Sequence, residues 1–166
     1  MQSKNDYRLP LDLSRLGPKR WRKLLWLIED WVAGAHSGTV RHAIDIMVPT
    51  GTPIVAAASG LVVWVKNDGL YGGVAKKYWL QGNRVVIRHD HDEYSAYEHF
   101  KPQGVLVHVG QRVVEGELIG YSGRTGYGFL PHLHFEIFQH PSADCSEGET
   151  IKIFFKDIGL VKDGDV

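Results

Sequence analysis

The sequence predicts an all-β body, built as two antiparallel sheets packed face to face, with one α-helix before it. From Ala43 onward the apolar residues fall in short runs separated by glycine and proline, which is the pattern of strands and turns. A single helical stripe lies upstream, between Pro18 and Gly34, and no second helical period follows it. With 166 residues and 43% hydrophobic content, the chain is long enough for one domain with a real core.

The predicted helix begins near Pro18, ends before Gly34 and follows an irregular arm. Its apolar residues recur at three- and four-residue steps: Trp21, Leu24, Leu25, Ile28, Trp31 and Val32. The bland explanation is a helix packed on the domain surface. Its basic first turn and its tryptophans would also suit contact with an anionic membrane surface or a protein partner. We expect residues 1–34 to form this arm and helix, residues 35–156 the domain, and residues 157–166 a tail.

The candidate strands share β-like composition and bounding turn residues. They are residues 43–48, 53–58, 61–66, 84–88, 93–99, 113–115, 118–122 and 132–138, with 151–155 as a closing edge strand. Residues 67–81 form a long loop that contains three glycines, two tyrosines and one tryptophan. Because long aromatic loops over a rigid sheet are common binding elements, we expect this loop to contact a ligand.

Charge and cysteine content argue against several classes of protein. Lys plus Arg equals Asp plus Glu, at 19 each, which argues against nucleic acid as a partner. Cys145 is the only cysteine, so any metal must be held by His, Asp or Glu. No apolar run approaches the roughly 20 residues that span a bilayer. The N-terminus shows no apolar segment of a secretory signal, so no signal peptide is visible in this sequence.

The sequence around His132 and His134 predicts a strand whose two faces differ. Because side chains alternate along a strand, His132, His134 and Glu136 share one face, and Leu133 and Phe135 lie on the other. The second face is core. Two imidazoles on the first face can serve one metal centre, one as ligand and one exchanging protons with water. A polar strand face in water is the alternative explanation.

Two other segments supply residues that favour a metal centre. Asp45 lies inside the otherwise apolar run 43–48, where a carboxylate needs a metal ion or an arginine as partner. Tyr97 and His99 are expected to share a face of the strand 93–99, beside the strand of His132. A catalytic zinc needs three protein ligands and one open position. The carboxylate of Asp45 and the imidazoles in these segments are enough to supply the three ligands. Other histidines are expected to be structural at His89 and exposed at His91, His108 and His140.

Taken in order, these residues resemble the M23 family of zinc metallopeptidases, the LytM and lysostaphin-like peptidoglycan endopeptidases. The resemblance covers about residues 36–138 and rests on several ordered motifs. They include Ala43-Ile44-Asp45-Ile46 with residues 49–54, residues 83–89, Tyr97-Glu98-His99, and residues 131–136. The resemblance implies a sandwich of the duplicated hybrid-motif type, Zn²⁺ as cofactor, and peptidoglycan peptides as substrate.

The resemblance also implies roles for individual residues. Asp45 and His134 would be zinc ligands. His99 and His132 would flank the water at the metal, as acid-base and oxyanion-stabilising groups. Glu136 would support a ligand or lie as a polar group at the edge of the core.

The first histidine ligand departs from the family pattern. Its usual position, four residues before Asp45, is occupied by Arg41. His36 lies in a glycine-containing loop that can fold back over the end of the strand. We favour His36 over His42, because strand alternation would turn His42 to the opposite face unless a bulge intervenes.

The leading functional hypothesis is a zinc-dependent endopeptidase that hydrolyses peptide bonds of peptidoglycan. The alternative, which rests on Arg41, is a noncatalytic regulator that binds or activates other cell-wall enzymes. A carrier or phosphotransfer module is a third, weaker hypothesis, because no lysine lies in a tight-turn Met-Lys-Met context. The substrate class predicts the cell envelope or periplasm, whereas the lack of a visible signal peptide leaves the cytoplasm open.

Overall fold

The computed structural model describes residues 1–12 and 38–157 of the chain. The described residues form twelve strands and three short 3₁₀ turns, and they contain no α-helix. The strands are β1 (Ile44–Met47), β2 (Pro53–Val55), β3 (Gly60–Lys66), β4 (Gly72–Gly73), β5 (Arg84–Arg88), β6 (Tyr94–Glu98), β7 (Phe100–Val105), β8 (Arg112–Val113), β9 (Leu118–Ser122), β10 (Gly126–Tyr127), β11 (His132–Gln139) and β12 (Glu149–Ile151). The 3₁₀ turns are Gly38–Val40, Lys76–Gln81 and Asp90–Asp92. The prediction of a mostly β, antiparallel body is confirmed. The helix predicted between Pro18 and Gly34 lies outside the described residues.

The strands are arranged in three sheets. The largest has the order β1-β11-β6-β5-β3-β8, with β12 pairing the far end of β11. A second sheet has the order β2-β9-β7, and a two-stranded parallel sheet joins β10 to β4. Strands β11, β6 and β5 are therefore central to the large sheet, and they bring residues from distant parts of the sequence side by side.

One hydrophobic cluster contains residues of both larger sheets. Ile87 and Phe135 come from the seven-stranded sheet, and Ile54, Phe100 and Ile119 come from the three-stranded sheet. The alternation predicted for β11 is present, because Leu133, Phe135 and Ile137 are fully buried. Tight burial of one face holds the register of β11, since a slip by one residue would bring its polar side chains into the core.

The N-terminal arm packs into the same core. Tyr7, Leu9 and Leu11 alternate and are at most 2% exposed. Isolated bridges pair Tyr7 with Phe155 and Leu11 with Ile54. This alternation is visible in the sequence, although the arm was predicted to have no period. The predicted domain boundary at residues 34 and 35 lies outside the described residues and stays a prediction.

A buried carboxylate fastens the arm to the sheet. Glu93 is fully buried, and its carboxylate accepts hydrogen bonds from the Lys4 backbone N–H at 2.6 Å and from the Tyr7 hydroxyl at 3.0 Å. Asn5 donates to the same carboxylate from its backbone N–H at 3.2 Å and from its side-chain amide at 2.8 Å. Burial, followed by the charge of Glu93, raises the pKa of Tyr7, so its hydroxyl stays protonated and remains a donor.

Strand β7 was not predicted from the sequence. Its residues include Lys101, Pro102, Gln103 and Gly104, which is the composition of a turn. The backbone is irregular there, with φ of +53° at Gln103 and a register shift against β9. Pairing with β9 therefore overrides the local propensity of this segment. Within the described residues, no helix is long and apolar enough to cross a bilayer.

Burial of His89 should make the stability of the folded chain sensitive to acid. Its Nδ1 donates to the Ser59 carbonyl at 2.8 Å, and its Nε2 lies 2.7 Å from Ser95 Oγ. Burial lowers the pKa of His89 below its ordinary value. As pH falls below about 6.5, His89 therefore binds a proton in the unfolded chain but not in the folded chain. The free energy of unfolding falls as a result.

We expect His89→Gln to flatten the acid side of the pH–stability curve. Between pH 6.5 and 5 its slope should be smaller than that of the wild type by up to about 1.4 kcal/mol per pH unit. Urea unfolding of chelator-treated protein at several pH values measures this. The exposed His108→Gln variant is the matched control and should keep the wild-type slope. Parallel curves for His89→Gln and wild type would contradict the prediction.

Candidate metal centre

The register of four neighbouring strands aligns polar residues in one row. Asp45 on β1 lies opposite His134 on β11, and His134 lies opposite Glu98 on β6. Glu98 in turn lies opposite Arg84 on β5. Residues directly opposite one another in a sheet point to the same face. The row therefore collects two carboxylates, an imidazole and a guanidinium on a single face.

Asp45 and His134 are in direct contact. His134 Nδ1 lies 2.9 Å from Asp45 Oδ1, and His132 Nε2 lies 3.8 Å from the same oxygen. Burial disfavours the charged form of His134, but its contacts with Asp45 and Glu136 outweigh burial, so its pKa lies well above the ordinary value. A carboxylate oxygen and an imidazole nitrogen at this spacing are two potential ligands for one cation.

His99 reaches this face by a route that strand alternation does not predict. Tyr97 and His99 were expected to share a face, but Tyr97 is fully buried and packs on Phe135 with ring centroids 5.1 Å apart. Strand β6 ends at Glu98, and His99 has a φ of +66°, in the left-handed region. This backbone conformation breaks the alternation and brings the His99 ring within 4.4 Å of the His132 ring, measured between centroids. The prediction of a shared face was therefore wrong, although the proximity of His99 to His132 was expected.

Backbone carbonyls hold the two flanking histidines in one tautomer. His99 Nδ1 lies 2.7 Å from the Thr125 carbonyl oxygen, and His132 Nδ1 lies 2.8 Å from the Leu130 carbonyl oxygen. A carbonyl only accepts, so each Nδ1 carries the proton and each neutral ring has its lone pair on Nε2. Burial, followed by the charge of His132, lowers the pKa of His99 to about 4. At neutral pH, His99 is thus an uncharged ring with an acceptor nitrogen.

A buried hydrogen-bond hub supports the carbonyl that holds His99. Asn83 is fully buried, and its side chain accepts from the Gly69 N–H at 2.8 Å and donates to the Gly69 carbonyl at 2.9 Å. Its backbone N–H donates to Thr125 Oγ1 at 3.0 Å, and this hydroxyl donates to the Phe100 carbonyl at 2.7 Å. The hub therefore joins the aromatic loop, the loop of Thr125 and the residue that follows His99.

The aromatic loop and the loop after β9 form one wall beside the histidines. Strand β4 in the first loop pairs with β10 in the second, and Trp79 lies 5.3 Å from Tyr127 between ring centroids. Only glycine fits at Gly72, because a Cβ there would meet the Arg124 carbonyl oxygen. Large exposed apolar side chains are concentrated on this wall: Leu70, Tyr71, Val74, Trp79, Leu80, Tyr127 and Phe129. Exposed apolar patches of this kind mark binding surfaces.

Arg84, at one end of the row, bridges two carboxylates. Its guanidinium donates from one Nη to Glu98 Oε1 at 2.6 Å and from the other to Glu136 Oε1 at 2.8 Å. Burial opposes the charge of Glu98, but Arg84 and then His134 outweigh it, so the pKa of Glu98 is lowered to about 2. Sequence reasoning missed both Arg84 and Glu98. Alternation along β5 and β6 places each residue on one face of its own strand. Only the pairing register between the two strands shows that Arg84 and Glu98 lie side by side.

The described residues offer a partial set of metal ligands. Two ligands of a tetrahedral zinc lie roughly 3.3 Å apart, given bond lengths of about 2.0–2.1 Å. The 2.9 Å separation of Asp45 Oδ1 and His134 Nδ1 is close to this value, so a small opening would admit an ion. Glu98, His134 and Glu136 also offer ligand atoms within 4.8 Å of one another. Arg84 already binds both of those carboxylates, so the Asp45 side of His134 fits a metal better.

Comparison with known proteins decides the family. The pattern of peptidase family M23 matches residues 39–147, which contain Asp45, His99, His132 and His134. The chain belongs to peptidase family M23.

Relatives of this M23 chain include named cell-wall peptidases. It is 36% identical over 102 residues to the peptidoglycan DD-endopeptidase ShyA of Vibrio cholerae, covering 61% of this chain and 20% of ShyA. It is 31% identical over 129 residues to lysostaphin of Staphylococcus simulans, covering 77% of this chain and 24% of lysostaphin. The M23 chain spans about a quarter of the length of the curated relatives it matches.

Solved peptidase structures share the fold. A mutant catalytic domain of the prophage-encoded M23 protein EnpA from Enterococcus faecalis has a TM-score of 0.53 at 25% identity, over 73% of this chain and 81% of that one. A zinc-containing peptidase from Vibrio cholerae has a TM-score of 0.53 at 25% identity, over 80% of this chain and 36% of that one. The mostly β, antiparallel architecture of this M23 chain is therefore that of its family.

The first histidine ligand of this M23 chain stays a prediction. His36 lies outside the described residues. His42 is 5% exposed, and its backbone N–H donates to Thr150 Oγ1 at 3.2 Å.

The histidines expected to lie outside the site behave as predicted: His89 is buried and hydrogen-bonded, and His91, His108 and His140 are exposed.

Proposed function

We propose that the chain is a zinc-dependent endopeptidase that hydrolyses peptide bonds of peptidoglycan. The observation that carries this proposal is the contact of Asp45 Oδ1 with His134 Nδ1 at 2.9 Å, flanked by His99 and His132, in a member of family M23. The names of its relatives, a peptidoglycan DD-endopeptidase and lysostaphin, support the substrate class. That substrate supports a place in the cell envelope or periplasm.

Asp45 and His134 would hold the zinc together with a histidine from the preceding segment, for which His36 is the candidate. This set would supply two nitrogen ligands and one oxygen ligand, the number of protein ligands that catalytic zinc sites have. When bound, the zinc supplies a Lewis acid that polarises the scissile carbonyl and acidifies water. Asp45 also contributes the negative charge that partly balances the dication.

His99 and His132 would act as the acid-base group and the oxyanion-stabilising group. Each ring donates its Nδ1–H to a backbone carbonyl, so each Nε2 is available to accept a proton. One of them would take the proton of the attacking water and return it to the leaving amine, and the other would stabilise the oxyanion by donating a hydrogen bond once its Nε2 has taken up a proton. The low pKa of His99, about 4, keeps that ring uncharged at neutral pH. It therefore does not repel a cation held beside it.

The aromatic wall would bind the peptide. Trp79 and Tyr127 are exposed and in contact, and the pairing of β4 with β10 fixes the two loops relative to each other. An extended peptide lying along this wall would place one of its carbonyls at the row of Asp45 and His134. Apolar contact along the wall would contribute affinity, because buried apolar surface is worth roughly 25 cal/mol per Å².

Arg41 supports a second candidate function, that of a noncatalytic regulator of cell-wall enzymes. It occupies the position four residues before Asp45 where the family pattern has a ligand. Asp45, His99, His132 and His134 are all present and adjacent, however, and a regulator needs none of their proton chemistry. This adjacency favours the peptidase.

Metal removal tests the two functions against each other. We expect the purified chain to contain one equivalent of zinc and to release soluble fragments from isolated peptidoglycan. Dipicolinate treatment should remove the zinc and lower the cleavage rate by at least about a thousandfold, and added Zn²⁺ should restore it. Mass spectrometry of the fragments identifies the bond that is cut. Stoichiometric zinc without cleavage would favour the regulator, and cleavage that persists without metal would exclude the proposed mechanism.

A further inference from the structure

We propose that Arg84 is a positioning residue that acts through Glu136 to orient His134 toward the metal. The inference rests on the proposed function, because it assigns the support of one proposed ligand. Arg84 is on β5, two strands away from β11, and its guanidinium contacts Glu98 and Glu136. None of the mechanism above requires Arg84 to touch the substrate or the metal.

Polar contacts run in series from Arg84 to Asp45, and the one between Glu136 and His134 is longer than a hydrogen bond. The Arg84 guanidinium donates to Glu136 Oε1 at 2.8 Å, and Glu136 Oε2 lies 3.7 Å from His134 Nε2. The other ring nitrogen, His134 Nδ1, lies 2.9 Å from Asp45 Oδ1. One ring nitrogen thus faces a fixed carboxylate and the other faces the candidate metal position. Histidine ligands depend on such a partner for ring orientation and for the protonation of the second nitrogen.

Glu136 would not hold this position unaided. Its side chain is only 4% exposed, and its Oε2 has no hydrogen-bond partner among the described residues. A buried carboxylate of this kind needs a cation to balance its charge. Arg84 supplies the cation and, through its forked geometry, also binds Glu98 at 2.6 Å. Both carboxylates are therefore held away from the ion that Asp45 and His134 would bind.

Electrostatics alone predicts the opposite effect of removing Arg84. A positive charge near the site repels a dication, so its loss would tighten zinc binding if Arg84 acted only through its charge. A positioning role predicts weaker binding, because Glu136 would turn freely and His134 would lose its fixed orientation. The sign of the change in zinc affinity therefore separates the two explanations.

The test is a double-mutant cycle read by metal affinity. We expect Arg84→Met and Glu136→Gln each to weaken zinc binding by about 10–100-fold, measured by competition with a chromophoric chelator. The double variant should lose no more than Glu136→Gln alone, because both changes break the same series of contacts. The Co²⁺-substituted Arg84→Met protein should show an altered visible absorption spectrum, which reports ligand geometry independently of activity. Arg88→Met, an exposed arginine on the same strand, is the matched control and should bind zinc as the wild type does.

Folding is checked by circular dichroism, and Arg84→Lys keeps the test decisive if Arg84→Met does not fold. Lysine retains the charge but lacks the fork that binds both carboxylates, so it should also weaken zinc binding and alter the Co²⁺ spectrum. The inference would be overturned if the Arg84 variants bound zinc as tightly as the wild type or more tightly. It would also be overturned if the losses of affinity multiplied in the double variant. Neither result would bear on the proposed function. A wild-type chain that binds no zinc would overturn the proposed function and this inference with it.

Discussion

Replacement of Asp45 by asparagine should remove the bound zinc and lower kcat/KM on peptidoglycan by at least about a thousandfold. Asparagine has nearly the same size, so packing in β1 is preserved while the negative charge is lost. The carboxylate is the only proposed ligand that carries a negative charge, and it contacts the second proposed ligand, His134, at 2.9 Å. Its loss therefore weakens both the attraction for a dication and the geometry of the pair.

Zinc content by atomic emission and initial rates of peptidoglycan cleavage measure the two effects. Asp92→Asn is the matched control, because Asp92 is exposed and has a φ of +57°, which asparagine tolerates. This control should keep full zinc and full activity. An Asp45→Asn protein that retained one equivalent of zinc at wild-type affinity would remove Asp45 from the metal centre.

Replacement of His99 by asparagine should lower kcat by about 10²–10⁴-fold while zinc remains bound. His99 is not a proposed ligand, and its Nε2 is the atom available for proton transfer or for contact with the oxyanion. Asparagine is the suitable replacement because it tolerates the φ of +66° at this position. KM should change little, since the aromatic wall that would bind the peptide is unaltered.

Steady-state kinetics and zinc analysis of the same preparation test this expectation. The exposed His108→Asn variant is the control and should behave as the wild type in both measurements. Loss of zinc in His99→Asn would make His99 a ligand rather than an acid-base group. Wild-type kcat in the zinc-loaded variant would leave the proton transfers to His132 alone.

The local pattern of the sequence was sufficient for most of the strands, although not for β4, β7 or β10, and for one face of the site. The alternation of β11 predicts Leu133 and Phe135 in the core and His132 and His134 on the other face, and burial agrees with this. Asp45 was conspicuous because a carboxylate inside an apolar strand requires a partner. Its partner among the described residues is His134, which a search limited to the neighbouring sequence would not find.

Sequence reasoning was incorrect where the backbone departs from a regular strand. Alternation was extended one residue too far at His99, where a positive φ ends β6 and turns the ring toward His132. The same assumption concealed Glu98, which is the residue of β6 that lies opposite His134. A residue other than glycine adopts a positive φ only when surrounding contacts hold it there, and local propensity does not reveal such contacts. At His99 the contact is the hydrogen bond to the Thr125 carbonyl.

The amino-acid sequence by itself determined the β class, the apolar faces and the residue types able to hold a metal, because these follow from periodicity and side-chain chemistry within single segments. Only the tertiary structure decided which polar residues become neighbours. The row of Asp45, His134, Glu98 and Arg84 exists because four strands pair in one register, and register is a property of the packed sheet. The bridge from Arg84 to Glu136 spans 52 positions of the sequence and forms only once those strands are side by side.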